Sequence, residues 1–132
     1  MPLRALHGIA QMELGSTARK GGLTAPRFKG MLKTYRFGLP VWSYALHMPQ
    51  TALSARLDKG LPFHPLEADR AYMVEQVLKR GMDVFEDADD LMHWLKRKHP
   101  MLEGVRPLDL LSSTTGISWV MMELGRIEHG VY

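Results

Sequence analysis

Cysteine is absent from the 132 residues of this chain. Disulfide frameworks, thiolate zinc sites and cysteine nucleophiles are therefore excluded. No apolar run approaches the roughly 20 residues that a membrane-spanning helix needs, and polar residues interrupt the stretch after Met1, so we expect no signal peptide and a cytoplasmic protein. The apolar content of 45% and the charged content of 23% are typical of a globular protein with one domain, or two very small domains that share a core.

Acidic residues are scarce in the first quarter of the chain. Residues 1–36 hold seven Lys and Arg side chains against the single acid Glu13, whereas the remaining residues hold ten basic and thirteen acidic side chains. A basic segment beside a slightly acidic body favours a polyanionic partner, and a solvated tail kept soluble by its charge is the alternative. Because residues 1–25 are rich in glycine and lack sustained periodicity, we predict that they form a flexible basic arm.

Alternation with period two, the mark of strands, is almost absent, whereas helical spacing of apolar residues is frequent. The first helical face begins after Pro26 and includes Phe28 and Tyr35, and we expect Gly38 to end this helix. Further helices are predicted over residues 41–47, 50–59, 66–85, 88–98 and 107–111. A last helix carries Ile117, Val120, Met121, Leu124 and Ile127. The sequence therefore predicts an all-α fold.

Residues 47–60 have the features of a DNA-recognition helix that follows a tight turn. An inner apolar face is formed by Met48, Leu53 and Leu57, and the outer face is short and polar. Amide, hydroxyl and guanidinium groups of this kind suit contacts to base edges and phosphates in a major groove. The candidate DNA-binding residues are Gln50, Thr51, Ser54, Arg56 and Lys59. A small helical core with a merely polar outside is the alternative interpretation.

No spacing in the sequence indicates a metal centre or an active site. His93 and His99 are six residues apart and face different sides of a helix. The acidic residues between 83 and 90 lack the glycine and the distal glutamate of a calcium loop, and helix initiation explains them better. Ser112 and Ser113 have no glycine-flanked elbow. We therefore expect no catalytic residue, no cofactor and no metal, and a protein that is not an enzyme.

The C-terminal part carries a recognisable pattern of apolar, proline and glycine positions. The pattern comprises Trp94-Leu95, residues 100–104, residues 107–111, Thr115-Gly116, Val120 and residues 124–131. In these positions the chain resembles the toxin-binding domain of Xre/MbcA/ParS-type antitoxins. Residues 38–40, 47–60 and 67–70 resemble that family's Xre-like DNA-binding half. The chain departs from the family pattern at three positions: His47 stands in place of the usual turn glycine, and alanine occupies positions 52 and 55.

The resemblance implies an antitoxin of a type II toxin–antitoxin system, whose partner is a RES-domain toxin that acts on NAD⁺. It implies an Xre-like helix-turn-helix region over residues 26–65 and a helical dimerisation and toxin-binding domain over residues 66–132. The C-terminal helix and tail would cover the toxin's active site, and a homodimer would bind operator DNA and repress its own operon. The implied toxin-binding residues are Arg126, Glu128, His129, Gly130, Val131 and Tyr132.

Two questions stay open at this point. A plain dimeric helix-turn-helix transcriptional regulator without a toxin partner is the alternative function. The methionines 73, 82, 92, 121 and 122 either fill the core, which is the commoner role, or supply a compliant interface.

Overall fold

The computed structural model describes residues 22–130, and the predicted residues Val131 and Tyr132 lie outside this range. Within it the chain forms seven α-helices, and the all-α prediction is confirmed. They are α1 (Ala25–Tyr35), α2 (Leu39–Leu46), α3 (Gln50–Lys59), α4 (Pro65–Phe85), α5 (Ala88–Lys96), α6 (Pro107–Leu110) and α7 (Thr114–His129). A 3-10 helix covers Pro100–Leu102, and an isolated antiparallel β-bridge joins His99 to Val105. None of the described helices is long and apolar enough to cross a membrane.

The ends of the helices follow local capping chemistry in most places. Thr24 caps α1, Asp87 caps α5 and Ser113 caps α7, each by accepting a hydrogen bond from a backbone amide of the first turn. α3 begins at Gln50 and ends before Gly60, as predicted, and Gly60 has the positive φ of 65° that suits glycine. α5 ends at Lys96, two residues earlier than predicted, because the chain turns extended toward the β-bridge at His99.

The end of α1 differs from the prediction and has a packing reason. Gly38 does not end this helix; Arg36 adopts the left-handed conformation at φ 54° instead, and Gly38 is the N-cap of α2. A left-handed non-glycine residue costs roughly 1 to 2 kcal/mol. The early turn buries Phe37, which is 1% exposed, and burying such a side chain contributes about 1.5 to 3 kcal/mol. Burial of Phe37 therefore offsets the backbone strain.

Only residues 22–25 of the predicted arm are described, and they belong to the folded body. Leu23 is buried, and its carbonyl accepts a hydrogen bond from the amide of Phe63 at 3.1 Å. Ala25 is the first residue of α1. The folded body thus begins earlier than predicted, while residues 1–21 lie outside the described range.

One hydrophobic cluster runs through the described chain from Leu23 to Leu124. At one end, Trp42 lies edge-on to Phe28 and Phe37, with ring centroids 4.9 and 5.7 Å apart. α4 crosses the middle and packs against α2, α5 and α7. Since α4 contacts helices on both sides, the segments before and after residue 65 share a core.

Candidate functional site

The predicted recognition helix α3 follows α2 after a three-residue turn. The turn consists of His47, Met48 and Pro49, and His47 adopts the left-handed conformation at φ 55° and ψ 45°. This conformation is the one that glycine adopts most easily, so His47 fills the turn position with the expected backbone geometry. Met48, Leu53 and Leu57 are buried, as the apolar pattern predicted.

The candidate DNA-binding side chains of α3 differ in their exposure to solvent and in whether they pair with another residue of the chain. Gln50 and Thr51 in the first turn and Lys59 in the last turn are exposed. Ser54 is half-buried. Lys59 forms no ion pair within the described residues, so its charge is free to meet a phosphate.

Arg56, in contrast, is bound within the chain. Its guanidinium donates to the carboxylate of Glu67 and lies over the ring of Phe63, 5.5 Å from the centroid. The same Glu67 carboxylate accepts a hydrogen bond from the amide of His64 at 2.8 Å and so completes the capping box of α4. The Arg56 side chain is 25% exposed. It therefore joins α3 to the start of α4, a partner that lies on another helix and that the sequence pattern did not indicate.

Two side chains of α2 and its turn contact the segment that leads into α7. The hydroxyl of Tyr44 donates to the carbonyl oxygen of Asp109 at 3.0 Å, and Nε2 of His47 lies 2.5 Å from the carbonyl oxygen of Ser112. Arg106 donates two hydrogen bonds to the Asp109 carboxylate, and this holds the pKa of Asp109 below its usual value. Sequence reasoning missed these contacts, because Tyr44 and Asp109 are 65 residues apart.

The end of α7 carries four of the predicted toxin-binding residues within the described range. Arg126 donates to the buried carboxylate of Glu123 at 2.8 Å, and Glu128 pairs with Arg80 of α4 at 2.5 Å. The His129 side chain is 71% exposed, and Gly130 ends the helix at φ 68°. Arg126 and Glu128 thus bind within the chain, whereas His129, whose Nε2 lies 3.8 Å from the Glu128 carboxylate, keeps most of its side chain exposed.

The exposed face of α7 carries large apolar side chains that were not among the predicted toxin-binding residues. Trp119 is 48% exposed and Met122 is 69% exposed, whereas the inner face contains buried Ile117, Val120 and Leu124. The methionines 73, 82, 92 and 121 pack against the core, so Met122 alone of the five stands in solvent. The sequence contained this signal, since Trp119 and Met122 fall between the positions of the buried stripe.

Within the described residues, no three acidic or histidine side chains are close enough to hold a metal ion.

Residues 80–130, which include the end of α4 and all of α5, α6 and α7, match the family model of the antitoxin Xre/MbcA/ParS C-terminal toxin-binding domain. The chain carries the toxin-binding domain of an Xre/MbcA/ParS antitoxin.

A curated relative is similar to this chain over most of its length. The chain is 22% identical, over 122 aligned residues, to the Prs ADP-ribosylating antitoxin of Sphingobium sp. (strain YBL2). The alignment covers 86% of this chain and 77% of the relative. The similarity therefore extends beyond the matched domain into the helices that precede it.

Proposed function

We propose that this antitoxin neutralises a cognate RES-domain toxin that acts on NAD⁺, by covering the toxin's active site with the end of α7 and the tail. The observation that carries the proposal is the match of residues 80–130 to a toxin-binding domain, whose last residue is the one that ends α7. The name of the Sphingobium relative refers to ADP-ribosylation, a reaction that takes ADP-ribose from NAD⁺. This chemistry agrees with a toxin of that class.

The predicted toxin-binding residues act in two ways under this proposal. His129, Gly130, Val131 and Tyr132 enter the toxin's cleft, where Tyr132 is an amphipathic anchor with few rotatable bonds. Glu128 contributes by fixing the direction of α7 through its ion pair with Arg80 of α4, and Arg126, which pairs with Glu123 of the same helix, contacts the toxin directly. The antitoxin itself performs no catalytic step in this scheme, and its place of action is the cytoplasm.

Co-expression with the product of the adjacent gene tests the proposal. The full chain is expected to restore growth and to co-purify with the toxin. A chain that ends at His129 is expected to co-purify but not to restore growth. This cut leaves Arg126 and Glu128 in place, so α7 keeps the Arg126–Glu123 and Glu128–Arg80 ion pairs. Growth rescue by the shortened chain would contradict the covering role of the tail.

DNA binding is the second part of the proposed function. The geometry of α2, the turn and α3 supports it, and so does the charge of residues 22–65, which hold six basic side chains and the single acid Asp58. We infer that a homodimer presents two α3 helices to a palindromic operator, about one helical turn apart, and represses the antitoxin's own operon. Gln50, Thr51, Ser54, Arg56 and Lys59 remain the proposed DNA-contacting set.

A gel shift on the upstream region of the operon tests this part. Gln50→Ala is expected to weaken binding without a loss of stability, and Lys59→Ala is expected to lower the salt dependence of binding. Unchanged affinity for both variants would refute α3 as the reading helix. If the full chain binds DNA but neither binds nor inhibits the adjacent gene product, the alternative, a plain dimeric helix-turn-helix regulator, is correct.

A further inference from the structure

An apolar groove lies between the 3-10 helix and the outer face of α7. Its apolar lining consists of Met101, Leu102, Trp119 and Met122. Six large hydrophobic side chains are exposed in the described part of the chain, and three of them, Met101, Trp119 and Met122, meet in this groove. Exposed apolar side chains are unremarkable singly, but a group around one concavity marks an interaction surface.

The polar lining of the groove, which consists of the exposed Glu103, the buried Glu123 and Arg126, defines what it accepts. Glu123 is 8% exposed and is paired with Nε of Arg126, so its charge is already compensated. The two terminal nitrogens of Arg126 form no hydrogen bond within residues 22–130 and remain available as donors. The groove therefore suits an apolar side chain that lies next to a hydrogen-bond acceptor such as a backbone carbonyl.

The position of the groove favours the toxin as its occupant over a second copy of this chain. Every lining residue, from Met101 to Arg126, falls within the matched toxin-binding domain of residues 80–130. The groove also shares Arg126 with the end of α7, so it is continuous with the segment that the proposed function assigns to the toxin's active site. Trp and Met are residue types enriched at the centres of protein interfaces.

We propose that this groove is the anchor that binds the toxin, and that the end of α7 and the tail supply the inhibition. The proposal rests on the proposed function and divides it between two surfaces. Affinity comes from the burial of Trp119 and Met122 under an apolar side chain of the toxin. Inhibition comes from residues that follow Arg126. The two contributions can then be lost separately.

The test measures the dissociation constant and the inhibition of the purified adjacent gene product in parallel. The double variant Trp119→Ala, Met122→Ala is expected to bind the toxin about 30-fold more weakly or worse, yet to inhibit it fully once saturating. Leu66→Ala is the matched control, since Leu66 is 73% exposed at the start of α4 and far in sequence from the groove. All three substituted residues are exposed, so the thermal unfolding midpoint is expected to stay unchanged.

Three outcomes overturn the groove as a toxin anchor. The first is an affinity of the double variant within about threefold of that of the wild type, since a buried hot spot would cost far more. The second is conversion of the double variant from dimer to monomer with unchanged toxin affinity, which would assign the groove to a second copy of the chain. The third is failure of the wild-type chain to bind the toxin, which alone also refutes the proposed function.

Discussion

The two segments of the described chain differ in charge and in what their surface helices expose. Residues 22–65 hold six basic side chains and one acidic side chain, whereas residues 66–130 hold eight basic and twelve acidic side chains. α3 in the first segment exposes Gln50, Thr51 and Lys59, while α7 in the second exposes Trp119 and Met122. A polar helix with an exposed lysine suits a polyanion and an exposed apolar face suits a protein surface, so the two segments present surfaces of different kinds.

The opposite charges of the two segments also hold them together. Arg56 of α3 pairs with Glu67 of α4, and Arg36 lies 3.5 Å from Asp89 of α5. Both ion pairs join a basic residue of the first segment to a carboxylate of the second. The Arg36–Asp89 pair is more than 70% exposed and contributes little, but Arg56 and Glu67 are mostly screened from solvent. Part of the charge asymmetry therefore serves the fold.

The largest expected effect is a loss of unfolding free energy in the core, and its measurement also shows whether the two segments unfold together. Trp42→Ala is expected to destabilise the protein by about 3 to 5 kcal/mol, because it leaves a cavity among Phe28 and Phe37. Trp119→Ala, at a half-exposed position on α7, serves as the control and is expected to change stability by no more than about 0.5 kcal/mol. Chemical denaturation followed by circular dichroism should show one transition; two separate transitions would mean two independent folding units.

The next effect concerns the start of α7, where glycine permits a close approach. A Cβ at Gly116 would overlap the carbonyl oxygen of Leu110, which belongs to backbone and cannot turn aside. Gly116→Ala is expected to destabilise the protein by about 1 to 3 kcal/mol and to weaken toxin binding without impairing DNA binding. On the same helix, a Cβ at Gly125 would make only an ordinary contact with Arg80. Gly125→Ala is therefore expected to stabilise the protein by up to about 1 kcal/mol. Equal effects of the two variants in thermal melts would contradict the close packing of α6 on α7.

A smaller effect separates the two roles that Arg56 carries in this structure. Arg56→Ala is expected to cost about 1 to 2 kcal/mol, because Glu67 loses its partner and Phe63 loses its covering cation. Gln50 on the same helix is exposed, so Gln50→Ala is expected to change the free energy of unfolding by no more than about 0.5 kcal/mol. Denaturant titration and gel shifts on both variants give the comparison. A stable Arg56→Ala variant that loses DNA binding would show that Arg56 reads DNA directly.

The smallest effect is a dependence on alkaline pH that arises where α1 meets α4. Burial, together with the negative charge of Glu75, raises the pKa of Tyr35 to about 12. The folded state thus keeps the phenol proton to a higher pH than the unfolded chain, so this stability is complete below pH about 10 and is lost as the pH rises toward 12. At pH about 11 the wild type should have lost about 1 kcal/mol more than Tyr35→Phe. Thermal melts at two pH values check this, with Tyr44→Phe as the exposed control; parallel losses would refute it.

The sequence predicted helices whose ends depend on local chemistry and failed where a distant contact decides. Gly60 and Asp87 marked the end of α3 and the start of α5 correctly, because caps act within a few residues, whereas α4 begins at Pro65, one residue before its predicted start. The predicted end of α1 at Gly38 was wrong, because burial of Phe37 against Trp42 outweighs the preference of glycine for the left-handed position. Capping preferences alone contain no information about a tertiary contact.

The candidate sites show the same division between local and distant causes. The exposure of Gln50 and Thr51 followed from helical periodicity, and so did the buried stripe of α7. The engagement of Arg56 by Glu67, and of Glu128 by Arg80, required two helices to meet and could not be derived from spacing. Trp119 and Met122 were visible as apolar residues off the buried stripe, but only the fold places them beside Met101 in a groove.

One titration tests most directly whether toxin binding and toxin inhibition belong to different parts of the chain. Purified toxin is mixed with increasing amounts of the full chain or of the chain that ends at His129, and the consumption of NAD⁺ is recorded together with complex formation. The full chain is expected to abolish NAD⁺ consumption at saturation, and the shortened chain to form the complex while NAD⁺ consumption continues. Complete inhibition by the shortened chain would contradict the blocking role of the tail.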